Sequence, residues 1–158
     1  MQSFISGKIN ITGYKKIIDG LVKKNTSINL SDLSTKGKNS KQFFLDDFSK
    51  LEKISNDIQF FLNKKLKLIR AWTVYGRKGS YHTIHRHNEK HYPHLATVIY
   101  LKVPKKEPGD FTYILNEGYD FITPKEGDIF IFPIHIIHGT YPQGEGLRQT
   151  LNLDFEIL

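Results

Sequence analysis

A chain of 158 residues with 11 Phe and 8 Tyr is long enough to bury about two thirds of its unfolded surface around an aromatic-rich core. It has no cysteine, which excludes disulfides, thiolate metal sites and thiol nucleophiles together. The net charge of +7 resides in residues 1–67, where 13 Lys face 6 acidic residues, while residues 68–158 sum to zero. That excess is all lysine, scattered among Asn and Ile without interleaved Arg and aromatics, so it reads as a solvated face and points away from nucleic acid. No apolar run approaches a membrane span, and residues 1–8 lack the basic flank and apolar stretch of a signal peptide. The expectation is a soluble cytoplasmic protein with no membrane partner.

In chain order, Phe4, Ile9 and Ile11 alternate in residues 1–13, consistent with one or two edge strands. Tyr14, Ile17, Ile18, Leu21 and Val22 recur at helical spacing, predicting an amphipathic helix over Tyr14–Lys24. Residues 25–40 are polar and turn-rich, a loop. Residues 41–66 repeat Phe44, Phe48, Leu51, Ile54, Ile58, Phe61 and Leu62 at three- and four-residue steps, predicting a second helix that packs on its own sheet.

From Lys67 the period changes to two. Leu68–Tyr75, Ser80–His87, Leu95–Val103, Asp110–Leu115, Tyr119–Ile122, Asp128–Phe132, Ile136–Tyr141 and Arg148–Ile157 read as strands separated by Gly and Pro. About eight short strands after an N-terminal helical part indicate a mainly β fold, a double-stranded β-helix of jelly-roll or cupin type, with helices buttressing one sheet. The whole of 1–158 is expected to be a single domain, residues 1–67 supporting a core at 68–158.

Five of the seven histidines fall within residues 79–94. Neutral imidazole is the commonest protein metal ligand, and His85 and His87 are spaced to share one face of a strand while Arg86 points away. Downstream, Gly127-Asp-Ile-Phe-Ile-Phe-Pro leads to His135 and His138. Three apart on an extended backbone, these two face opposite sides, so one of them can be a third ligand. His82 has the opposite parity to His85, and His91 and His94 fall in a Pro-containing loop, which gives all three a surface or supporting role. Ten residues after His138, Arg148 opens an alternating, core-facing strand. A guanidinium there calls for an anion, and a carboxylate would satisfy it through a bidentate contact.

From Trp72 to the C-terminus the chain resembles the iron(II)- and 2-oxoglutarate-dependent dioxygenases, nearest their prolyl-hydroxylase-like branch and small bacterial and phage relatives. The pieces are Gly79…His85-Arg86-His87, the strand Thr97-Val-Ile-Tyr-Leu, Gly127-Asp-Ile-Phe-Ile-Phe-Pro…His138, and Arg148-Gln149-Thr150. The resemblance implies iron(II) held by His85 and His138, with His87 where the family has Asp or Glu. It implies Arg148 binding the distal carboxylate of 2-oxoglutarate, Thr150 assisting, and Tyr100 and Tyr75 contacting the cosubstrate. An alternative register, His87-Asn88-Glu89 with His138, restores two histidines and a carboxylate. The intervals from Gly79 and to Tyr100 fit the His85/His87 register better.

The implied activity is hydroxylation of an unactivated C–H bond, with dioxygen and a small-molecule or peptide substrate, prolyl peptides and amino acids among those compatible. Two other readings stay open. One is a cupin-type three-histidine dioxygenase or isomerase without 2-oxoglutarate, and the other a non-catalytic metal-binding jelly roll. Tyr81, Arg86 and Tyr92 are candidates for substrate contact, and the loops at 25–40 and 88–94 for lids.

Overall fold

Alternation in the last strand sets the plan of the molecule. Between Arg148 and Ile157, Leu151, Leu153 and Phe155 point to one face and Arg148, Thr150, Asn152 and Asp154 to the other, and all seven are buried. A strand buried on both faces needs a layer on each side. The structure, a computed structural model, describes residues 3–24, 35–36, 40–87, 94–116 and 118–158 and supplies both layers.

The elements in chain order are β1 (Ile5–Lys8), α1 (Tyr14–Lys24), β2 (Thr35–Lys36), β3 (Lys41–Phe44), a 3₁₀ turn (Phe48–Leu51), α2 (Glu52–Leu62) and β4 (Leu66–Gly76). They continue with β5 (Tyr81–His82), β6 (His94–Lys102), β7 (Phe111–Leu115), β8 (Gly118–Ile122), β9 (Asp128–Pro133), β10 (Ile137–Thr140) and β11 (Arg148–Ile157). A six-stranded antiparallel sheet runs β1-β9-β6-β11-β4-β3, and a three-stranded one runs β10-β7-β8. The two sheets face each other as a double-stranded β-helix.

Two apolar clusters glue the layers. On the outer face of the large sheet, Tyr14, Ile18, Leu51, Ile54 and Ile58 from the helical segments meet Ile99, Ile129, Ile131, Leu151, Leu153 and Phe155. Between the sheets, Val98, Tyr100, Phe111, Tyr113, Phe130 and Phe132 form the second cluster. Strand parity decides membership: Ile129 and Ile131 face the helices, Phe130 and Phe132 face inward. Asp19 pins α1 to the outer face, accepting hydrogen bonds from Tyr75 Oη (2.6 Å) and Gln149 Nε2 (3.1 Å) besides an ion pair with Lys15.

The expected helix over Tyr14–Lys24 forms with those bounds, and a single edge strand precedes it. The expected helix over 41–66 does not form as one piece. Residues 41–44 are instead the edge strand β3, paired with β4, and Phe44 belongs to its inner face rather than to a helical stripe. The helical period belongs to Leu51–Leu62 alone, and Asn63, in the left-handed conformation, ends it by donating its N–H to Gln59 and Phe60 carbonyls. The expected strand Ser80–His87 shrinks to Tyr81–His82 plus one bridge at His85. His94 is not a loop residue: it opens β6 and is buried. The loops expected at 25–40 and 88–94 fall largely outside the described residues. No helix among the described residues is long and apolar enough to cross a membrane.

Candidate active site

Three local devices bring the histidines together. The chain around His85 lies antiparallel to β10, with His85 N–H donating to His138 O (2.9 Å) and His138 N–H to His85 O (2.8 Å). Two residues on, His87 N–H donates to Ile134 O (3.0 Å) and fastens the segment to the turn before β10. His85, His87 and His138 each then offer a ring nitrogen, the three within 4.8 Å of one another. His135 lies in the turn before β10 and is exposed. Glu89 and His91 lie outside the described residues.

Each ring has an acceptor at Nδ1. His85 Nδ1 faces Thr83 O at 2.7 Å and His138 Nδ1 faces Ile136 O at 2.9 Å. His87 Nδ1 faces Asp154 Oδ1 at 3.2 Å. Carbonyls and carboxylates only accept, so each Nδ1 carries a proton, and in a neutral ring the lone pair then sits on Nε2. Burial, reinforced by the imidazoles of His85 and His87, holds His138 well below the ordinary histidine range, which keeps it neutral. Three converging imidazoles, each with an outer acceptor at Nδ1, fit a divalent transition-metal ion.

The same cavity, about 430 Å³, is also lined by Arg148, Tyr100, Thr150, Asn152, Phe111 and Val98. That volume lies in the range of small-molecule sites, roughly 300–1,000 Å³. Arg148 is 4% exposed and donates only to neutral acceptors: Pro108 O (3.0 Å), Gly109 O (3.3 Å), Ser80 O (3.3 Å) and Thr140 Oγ1 (3.2 Å). Among the described residues no carboxylate pairs with it. Burial lowers the guanidinium from its ordinary value, yet arginine stays protonated in proteins. Tyr100 is fully buried, and burial pushes its phenol up, so Oη remains a donor; no partner satisfies it among the described residues. Thr150 Oγ1 accepts from Asn152 Nδ2 at 3.1 Å.

Tyr75 does not reach this space. On β4 the even-numbered Arg70, Trp72 and Val74 line the cavity, whereas Tyr75 faces α1 and bonds Asp19. Its place ten residues before His85 is a matter of sequence interval, and strand parity overrides it. Three features escaped sequence reasoning. Asp154 stands behind His87, Arg70 behind Asp154 (Nε 3.0 Å and Nη2 2.6 Å to Oδ2), and Trp72 lines the cavity rather than the core. One signal for Asp154 was present, since Arg148, Thr150, Asn152 and Asp154 share one parity opposite Leu151, Leu153 and Phe155.

Two facing antiparallel sheets with polar residues converging between them define a double-stranded β-helix protein with an internal site. No family model matches the sequence, and no curated protein matches it either. Solved structures do match in fold. The viral collagen prolyl hydroxylase of Paramecium bursaria Chlorella virus-1, in its 2-oxoglutarate complex, is 17% identical with a TM-score of 0.72, over 98% of this chain and 96% of that one. A Trichoplax adhaerens prolyl hydroxylase bound to a hypoxia inducible factor peptide is 12% identical with a TM-score of 0.72, over 99% and 84%. HygX from Streptomyces hygroscopicus, with nickel and 2-oxoglutarate bound, is 13% identical with a TM-score of 0.68, over 98% and 82%. The jelly-roll fold anticipated from the strand pattern is therefore the fold of this chain.

Proposed function

We propose that the chain is an iron(II)- and 2-oxoglutarate-dependent oxygenase that hydroxylates an unactivated C–H bond. One observation carries this reading: three imidazoles whose ring nitrogens converge within 4.8 Å, and a buried guanidinium that no carboxylate pairs with among the described residues, open into a single cavity. In this reading His85, His87 and His138 hold the metal, and Arg148 takes the distal carboxylate of the cosubstrate. Tyr100 Oη and the hydroxyl of Thr150 hydrogen-bond that same carboxylate. Iron(II) and 2-oxoglutarate, when bound, supply the oxidising chemistry, coupling cosubstrate decarboxylation to succinate with transfer of one oxygen atom from dioxygen to the substrate. The chain itself supplies positions. Val98 and Phe111 keep the inner cavity apolar, which strengthens the Arg148–carboxylate contact by excluding water. Three neutral ligands leave the metal charge to be balanced by the dianionic cosubstrate.

The similar structures are bound to 2-oxoglutarate, to nickel or to a peptide, which supports this pairing of cosubstrate and metal and a peptide or small-molecule substrate. The test is anaerobic addition of iron(II) and then 2-oxoglutarate, followed by air. A visible charge-transfer band that requires both, and succinate formed in proportion to 2-oxoglutarate consumed, is the expected result. No iron uptake, or uptake without decarboxylation, refutes the reading. Substrate turnover without 2-oxoglutarate would assign the site to cosubstrate-independent three-histidine chemistry instead.

A further inference from the structure

The carboxylate missing from the three-histidine set is not missing from the site. Asp154, 2% exposed, divides its two oxygens: Oδ1 accepts from His87 Nδ1 at 3.2 Å, and Oδ2 accepts from Arg70 Nε at 3.0 Å and Nη2 at 2.6 Å. Arg70 lies over the Trp72 ring at 5.5 Å, and the Trp72 ring packs against the His87 ring at 5.6 Å. His87 is thus held at its Nδ1 by a carboxylate and at its face by an indole, both fixed by one guanidinium. At the same ring position His85 and His138 face a main-chain carbonyl. Position 87, the one that departs from the usual carboxylate, has a carboxylate one hydrogen bond further out. The pairing register of β11 with β4 shifts between Asp154 and Phe155, an irregularity of the kind that re-aims side chains near functional sites.

The geometry points to Asp154 as a positioning residue for His87, restoring through Nδ1–H···carboxylate the negative charge that the metal's direct ligands lack. A carboxylate behind an imidazole orients the ring and raises its basicity as a ligand. Arg70 is part of the device, because it holds Oδ2 and leaves Oδ1 free to face His87. This inference rests on the metal-site reading above. A purely structural Arg70–Asp154 ion pair would act on folding and not on the metal.

The test titrates cobalt(II) alone into the metal-free protein, reading affinity and the visible d–d bands, beside the urea unfolding midpoint without metal. Wild type is expected to bind, and His138→Ala to bind none. Asp154→Asn, near in shape but neutral, is expected to bind about 10–100-fold more weakly with shifted d–d bands. Arg70→Met, at a side chain 38% exposed and so tolerant of change, is expected to lose severalfold in affinity with intact folding. If Asp154→Asn and Arg70→Met both bind within twofold of wild type with unchanged bands, Asp154 merely pairs with Arg70 and the inference is wrong. If Asp154→Asn fails to fold, Arg70→Met decides alone by the same twofold limit. If wild type takes up no cobalt(II), the metal site itself falls and this inference with it. A wild type that binds, a His138→Ala that does not, and variants equal to wild type would sink this inference only.

Discussion

Gly109 packs directly beneath the guanidinium of Arg148, and replacing it by alanine tests how tightly that side chain is held. Gly109 has φ +78°, where an L-residue pays roughly 1–2 kcal/mol. An added Cβ would overlap Arg148 Nη1 and lie 2.5 Å from Tyr141 O. The oxygen belongs to backbone that Tyr141 N–H ties to Asp110 O at 2.9 Å, so it cannot swing aside as a side chain would. Overpacking of this kind adds about 1–3 kcal/mol. Together these give a loss of about 2–5 kcal/mol, or about 4–20 °C in Tm for a chain of this size. Displacing Nη1 also breaks its bonds to Pro108 O and Gly109 O and misaims the guanidinium. Loss of one hydrogen bond to a charged group, about 1.5–3 kcal/mol, would weaken 2-oxoglutarate binding about 10- to 150-fold. The control is Gly79→Ala, with φ +80° but nothing within 4 Å of the added Cβ. It should cost only the backbone share, roughly 1–2 kcal/mol, and leave 2-oxoglutarate affinity unchanged. Thermal unfolding by circular dichroism and titration calorimetry of 2-oxoglutarate read both quantities. Equal Tm losses in the two variants, or unchanged 2-oxoglutarate affinity in Gly109→Ala, would refute the idea that this loop shapes the Arg148 pocket.

Tyr100→Phe removes a buried hydroxyl that has no partner among the described residues, so the unliganded protein should keep its Tm or gain slightly, while calorimetry shows 2-oxoglutarate binding weaker by about 1 kcal/mol, roughly fivefold. Leu153→Ala empties a fully buried position between β11 and the helices, and urea unfolding should register a loss of about 2–5 kcal/mol with the cavity on the opposite face unaltered. Burial pushes the Asp19 carboxyl up, but hydrogen bonds from Lys15, Tyr75 and Gln149 outweigh it and hold the group below the ordinary carboxylate range. A depressed folded-state value gives stability that is present above the unfolded value, about 3.9, and is lost as pH falls through the folded one. Urea midpoints measured downward from about pH 5 should therefore fall more steeply in wild type than in Asp19→Asn.

Much of the architecture was legible because its driving patterns are local. Period-two alternation from Lys67 onward reflects strands with two chemically distinct faces, and the Gly and Pro between them mark where pairing must stop. The same logic found His85, His87 and Arg148, whose chemistry is conspicuous in a strand or beside one. Residues 41–44 misled because Phe44 and Phe48 continue the three- and four-residue spacing of α2 by coincidence. Only pairing with β4, a partner more than 25 residues away, turns that stretch into an edge strand. Tyr75 misled because an interval along the chain carries no information about which side of β4 a ring takes. Asp154 went unread because its partners, His87 and Arg70, lie 67 and 84 residues away, and no local period encodes such a meeting.

The central place of β11 in the large sheet bears on how this scaffold could be retargeted. Its inner face carries Arg148, Thr150, Asn152 and Asp154 while its outer face carries Leu151, Leu153 and Phe155 of the helix-facing core, so any slip or insertion there would exchange the two sets at once. The strand is a fixed jig. The opposite holds for β3, the terminal strand of the same sheet, which contributes Gln42 and Phe44 to the cavity and is paired on one side only. Libraries for a new substrate belong at Gln42 and Phe44, where side chains can be exchanged without disturbing the strand that aligns the chemistry.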